Sequence, residues 1–185
     1  MDERIEIDQE AIGELLNVPK KDPHAPLTEE LLCHELADEL RRLTADMKLP
    51  KRDGTEGAPN IFEQLLPMHE KQNEQNKNKD FPYLLVKFID SNVVNMGERQ
   101  PVSIVIGIGI YYENEDRQYQ HYAFHIFNVI KKRFIENNFL GNFRCDPDGF
   151  SFALSPDDEI TYPRYFAAIG MTWQVPGISR VSSFS

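Results

Sequence analysis

Cysteine is scarce in this chain: Cys33 and Cys145 are the only two, and no CxxC pair exists. That excludes a zinc ribbon or a thioredoxin-like redox motif. It leaves either one disulfide or, as a reducing compartment would have it, two free thiols, which is the expectation here. Long apolar runs are also lacking. The longest, Val102 to Tyr112, covers 11 residues, against the ~20 a helix needs to cross a bilayer. The opening MDERIEIDQE is acidic and has no apolar h-region, so a secretory signal is not expected. Positive charge is in deficit, with 20 Lys+Arg against 30 Asp+Glu and a formal charge of −10. A dedicated nucleic-acid binder would carry a basic stripe, and none is visible. The chain is expected to be made and to work in a soluble, reducing place.

What is present suffices for a core: hydrophobic residues make up 41% of the chain and aromatics 11%. The length fits one domain with some tail to spare. Residues 1–26 read as an N-terminal arm. Ile7, Ala11, Ile12, Leu15 and Leu16 recur at helical spacing, and then Pro19, Pro23 and Pro26 break the pattern. Residues 27–176 form the domain, and residues 177–185 a flexible C-terminal tail.

Within the domain, Thr28 is placed to cap a first helix whose opening Glu29 and Glu30 suit the positive helix end. Leu32, Leu36, Leu40, Leu43 and Met47 give it an apolar stripe. Lys51 to Pro59 reads as a turn. Asn60 to Pro67 reads as a short strand and Phe81 to Ile89 as a second. Between them Glu70 to Asp80 (EKQNEQNKNKD) has no apolar residue, so it is either a mobile loop or a segment ordered by a partner. In the strand Val102 to Tyr112, Val102, Ile104, Ile106, Ile108 and Ile110 alternate onto a core face. Ser103, Val105, Gly107, Gly109 and Tyr111 fall on the other, and two glycines on one face mark a place where another element approaches closely. Asp116 to Asn138 is helical, with Tyr119, Ala123, Ile126, Ile130 and Phe134 on its apolar side. Strands over Phe150 to Leu154 and Tyr165 to Val175 follow. The fold class expected is α+β: an antiparallel or mixed sheet of four to five strands packed against two long helices.

The usual chemical motifs are missing. Gly107-Ile108-Gly109 lacks the third glycine of a dinucleotide loop and lies within a strand rather than after one. His121 and His125 are spaced to share a metal, but no HExxH glutamate or third ligand accompanies them, so a surface pair is the expectation. Cys33-His34-Glu35 sits on the exposed-to-boundary side of the first helix and is read likewise. Asp157-Asp158-Glu159 follows Ser155-Pro156 and reads as a solvated acidic turn. No GxSxG or Walker pattern occurs. No enzyme activity, cofactor or metal site is expected. Trp173, Tyr165 and Phe166 belong to the core or an interface edge. Lys71, Lys77 and Lys79 are solvated loop residues or contacts to an acidic neighbour.

One arrangement is more specific. Asn60-Ile61-Phe62-Glu63-Gln64, Pro67, a polar loop, and Phe81-Pro82-Tyr83-Leu84-Leu85-Val86 come first. The long strand, the helix with Phe127-Asn128-Val129-Ile130, and Phe139-Leu140 follow. The block Tyr162-Pro163-Arg164-Tyr165-Phe166 to Met171-Thr172-Trp173-Gln174-Val175-Pro176 closes the series. This order, over Leu31 to Pro176, resembles the tail terminator (tail completion) family of long-tailed bacteriophages. The resemblance implies a structural virion protein that forms a homohexameric ring on the head-proximal end of the tail and is assembled in the host bacterial cytoplasm. The ring stops polymerisation of the major tail tube protein and presents a face to the head–tail connector or stopper, and in a contractile tail it contacts the sheath. DNA passes its lumen without specific binding, and no membrane is involved. Interface residues are then expected at Lys71, Lys77, Lys79, Gly107, Gly109 and Tyr111. The alternatives are another neck protein (connector or stopper component) or a small-ligand-binding or enzymatic α+β domain.

Overall fold

The computed structural model describes residues 28–68, 78–93, 95, 97–114, 118–156 and 161–177. The expected arm, most of the polar loop with Lys71 and Lys77, the Asp157–Glu159 turn and the tail beyond Gly177 lie outside the described residues.

Helix α1, Glu29–Thr44, starts where its cap predicts: the Thr28 hydroxyl accepts from the Leu31 N–H at 3.3 Å. Leu32, Leu36 and Leu40 are buried along one stripe, joined by Cys33 and Ala37. Cys33 is 2% exposed, so its expected place on the exposed-to-boundary side is corrected. It follows Leu32 and precedes Leu36 on a stripe wide enough to take it in. The segment after α1 is more than a turn. Leu49–Pro50 (β1) and Glu56–Gly57 (β2) pair antiparallel around Gly54, whose φ of 79° suits a residue without Cβ.

The main sheet contains β3 (Asn60–Glu63), β4 (Tyr83–Ser91), β5 (Gln100–Tyr111), β6 (Phe139–Leu140), β7 (Phe143–Leu154) and β8 (Arg164–Val175). It is six-stranded in the order β3-β4-β5-β8-β7-β6, where four to five strands were expected. It is a mixed sheet, since β3 runs parallel to β4 and every other pair is antiparallel. The additional strand is the two-residue β6. β7 also begins seven residues before the expected Phe150, because Asp146-Pro147-Asp148-Gly149 is a bulge within it rather than a turn before it. Proline cannot donate to a ladder and is tolerated at such an irregularity.

Helix α2, Tyr119–Glu136, and α1 both pack on one face of the sheet. Beneath them Ile104, Ile106, Ile108 and Ile110 of β5 meet Ile169, Met171 and Trp173 of β8, all at most 2% exposed. Trp173 lies under the C-terminal half of α2, edge-on to Phe134 with ring centres 5.1 Å apart. Tyr119 stacks on Tyr165 at 3.6 Å. Both cysteines are free and buried, and desolvation of the thiolate pushes Cys33 up to about 11 and Cys145 up to about 12.

Glu39 fastens the two helices. It accepts from Arg42 of its own helix at 2.9 and 2.7 Å and pairs with Arg133 of α2. The Arg42 hydrogen bonds, with Arg133 assisting, hold its carboxyl below the usual glutamate range despite partial burial. A folded-state pKa below the unfolded one gives stability that is present above the unfolded value and lost as pH falls through the folded one. Glu39→Gln should therefore cost about 1–3 kcal/mol at pH 7. The gap from the parent chain should close as pH falls below about 4. Urea melts at pH 7 and pH 3 measure both.

Candidate docking face

Among the described residues, no helix packs on the other face of the sheet. On it β5 places Ser103, Val105 and Gly107, and by register β8 sets Thr172, Gly170 and Ala168 beside them. All six are half-buried, while the residues between them along each strand are buried beneath the helices. Leu85 of β4 lies against Gly107 on the same face, and Ala153 of β7 against Ala168. An antiparallel sheet with one wet face usually alternates apolar-in with polar-out. Here only the row Leu85, Gly107, Ala168 and Ala153 is uncharged and flat, because Lys87 of β4 stands beside Val105 and Asp146 of β7 beside Thr172.

The two glycines of β5 differ in what they do. A Cβ on Gly109 would run into the ring of Tyr83, which lies across it. A Cβ on Gly107 would sit 3.7 Å from Leu85 Cβ, an ordinary contact. Gly109 is thus taken up inside the chain, and Gly107 leaves surface open. Tyr83 belongs to a small second core with Phe81 and Tyr111 at one end of this face, flanked by Phe62, Leu85 and Phe166. Phe81 and Tyr83 meet edge-on at 5.0 Å. Tyr111 is 7% exposed and its hydroxyl donates to Glu113. Burial, and then the Glu113 carboxylate, push that phenol upward. Gly109→Ala should accordingly cost about 1–3 kcal/mol through overpacking. Gly107→Ala should change stability by less than about 1 kcal/mol. Paired thermal melts measure the difference.

Lys79 is exposed in the turn that leads into β4 at the aromatic end of this face. The strand it leads into pairs Tyr83 with Gly109 and Leu85 with Gly107. Sequence reasoning passed over two features. The first is the aromatic end group, whose signal is Phe81 and Tyr83 alternating onto the face that Tyr111 shares. The second is an exposed apolar group where β3 ends, with Leu65 77% and Met68 98% exposed. Their signal is the run Leu65-Leu66-Pro67-Met68, apolar throughout and directly before a segment with no apolar residue.

The histidines flank a separate feature. A groove of about 600 Å³ runs between the end of α1 and the first half of α2. Leu43, Met47, Tyr122 and Val129 form its apolar lining, and Asp46, Lys48, His121 and His125 its polar lining. Among the described residues, no group of three or more His, Cys, Asp or Glu side chains is gathered to hold a metal ion. No helix among them is long and apolar enough to cross a membrane. No protein-family model matches the chain, and no curated protein matches it.

Proposed function

We propose that this chain is a ring-forming assembly protein of the tail terminator type, which caps a phage tail tube and offers a docking face to the head connector. The observation that carries the reading is the small, flat, uncharged row of Leu85, Gly107, Ala168 and Ala153 on the outer sheet face, bounded on one side by Lys87. Water gains little from contact with such a surface, and a second protein surface can approach it to backbone distance. A closed ring needs two different, complementary patches on each subunit. The flat face is one. The exposed Leu65, Leu66 and Met68 supply the other, as apolar knobs for a neighbour's flat face. The occupant of the face is thus a second copy of this chain.

The net charge of −10 fits a ring that DNA must slide through, because a basic lumen would hold phosphate by counterion release. A connector or stopper component would use the same kind of face, but it would stay on heads that lack tails. Light scattering over a concentration series, with and without purified tail tubes, tests the reading. Six-subunit particles, alone or on tubes, are expected. A chain that stays monomeric at all concentrations and leaves tube length unchanged would sink it.

A further inference from the structure

We propose that free copies of this chain pair edge to edge through residues 150–154 of β7, antiparallel and about a two-fold axis at Phe152. This inference goes beyond the ring reading and does not rest on it.

Among the described residues, β7 has β8 along one side and only the short β6 along the other, where pairing stops at Arg144. Residues 150–154 are therefore a sheet edge among them. The ladder decides which backbone groups face outward. The Ser155 N–H donates to the Phe166 carbonyl of β8 at 2.9 Å. The register runs back from there with Ala153 opposite Ala168 and Ser151 opposite Gly170. Along an antiparallel strand, residues alternate between bonding to that partner and turning both backbone groups away from it. Ser151 and Ala153 thus bond to β8. Phe152 and Leu154, with Phe150 next in the alternation, direct N–H and C=O to the open side.

The occupant is a second copy because this edge is complementary to itself. Antiparallel pairing centred on Phe152 sets Phe152 against its own mate and Phe150 against Leu154. Those are the residues whose backbone groups point outward, so every one of them finds a partner. The stretch reads FSFAL and carries no charge, so no like charges meet across the axis. Sheet edges are usually blunted by charge, proline or a bulge. The bulge Asp146-Pro147-Asp148-Gly149 does this for the first half of β7. At the opposite edge of the sheet, Arg41 donates to the Ile61 carbonyl of β3 at 3.5 Å. Residues 150–154 have no such guard. On the outer face Ser151 and Ala153 are small and exposed. On the helix face Phe152 stacks on Phe127 at 4.7 Å and meets Phe124 at 5.2 Å. Phe124 is 44% exposed, and the mate's Phe152 falls beside this group on the same face. A two-fold contact closes after two copies, so it adds no further subunits.

Two measurements test this, both on the full chain carrying Gly107→Arg, which keeps the flat-row contact out of the readout. In the first, a Ser151→Cys chain is mixed with an Ala153→Cys chain under mild oxidation. The proposed register makes 151 and 153 of the mate a pair without mutual hydrogen bonds, with Cα atoms about 4.5 Å apart. That is within reach of a disulfide. Native Cys33 and Cys145 are buried and do not compete. The 151–153 bridge between chains is expected at about ten times the yield of either the 151–151 or the 153–153 bridge, because pairing raises the local concentration of that pair alone. Equal yields would overturn the proposal. The second measurement is sedimentation over a concentration series. Ser151→Lys with Ala153→Lys, and separately Ser151→Glu with Ala153→Glu, change exposed positions only. Each double variant alone should lose the dimer, and a one-to-one mixture of the two should restore it. A parent that sediments as a monomer throughout, or a mixture that pairs no better than its components, contradicts the proposal. Neither readout involves a tail tube, so it stands or falls separately from the assembly reading.

Discussion

Gly107→Arg is expected to leave the monomer folded and to abolish ring formation. The site has room for a Cβ, with Leu85 at 3.7 Å, and a long side chain on this face extends into solvent instead of the core. Stability should therefore shift by less than about 1 kcal/mol, as for most surface substitutions. Assembly is another matter. At the proposed contact a guanidinium would have to be stripped of water without a partner, which costs several kcal/mol, and its bulk would hold the two surfaces apart. The subunit association constant should fall by at least about a hundredfold, equivalent to about 3 kcal/mol. Thermal melts and light scattering on the same samples separate the two effects. A variant that still forms rings places the contact elsewhere. Gly109→Ala is the counterpart: it should weaken the fold, because Tyr83 already occupies that space.

Trp173→Ala should be the most damaging substitution to the fold itself. Trp173 is fully buried at 0% exposure, edge-on to Phe134, with Val102 and Cys145 as its cross-strand neighbours. Removing an indole from such a place costs about 3–5 kcal/mol through lost transfer energy and the cavity left behind. For a domain whose total stability is about 5–15 kcal/mol, that is a large share. With about 2–4 °C per kcal/mol at this size, the melting temperature should drop by roughly 6–20 °C. Trp173→Phe should cost far less. The indole N–H is buried without an acceptor, so the smaller ring loses some packing and also removes an unsatisfied donor. Calorimetry of the three proteins gives the ranking. Equal losses for Ala and Phe would show that the indole makes an interaction this account lacks.

Periodicity carried most of the fold. The isoleucines of β5 alternate without a break, and the Leu32, Leu36 and Leu40 stripe has a capping threonine before it, so both elements announce themselves locally. β7 does not, because Asp146-Pro147-Asp148-Gly149 has the composition of a turn. Only pairing with β8 on both sides of the bulge makes the strand continuous. β6 is shorter than any periodicity can reveal. The site was legible in part. That Gly107 and Gly109 share a face follows from a period of two. Which of them stays open depends on Tyr83, a neighbour that strand register, not sequence proximity, sets beside Gly109. The same holds for Leu65 and Met68, whose exposure depends on β3 stopping at Glu63. Cys33 shows the converse, since its burial reflects how wide a stripe α1 turns towards the sheet.

The ring reading is tested most directly by imaging. Purified protein carrying a small label would be mixed with tail tubes and with tail-less heads, and examined by negative-stain electron microscopy. A labelled ring is expected on the head-proximal end of each tube and none on heads alone, and with Gly107→Arg no ring at either place. Label on tail-less heads, or none at either end of the tubes, would contradict it.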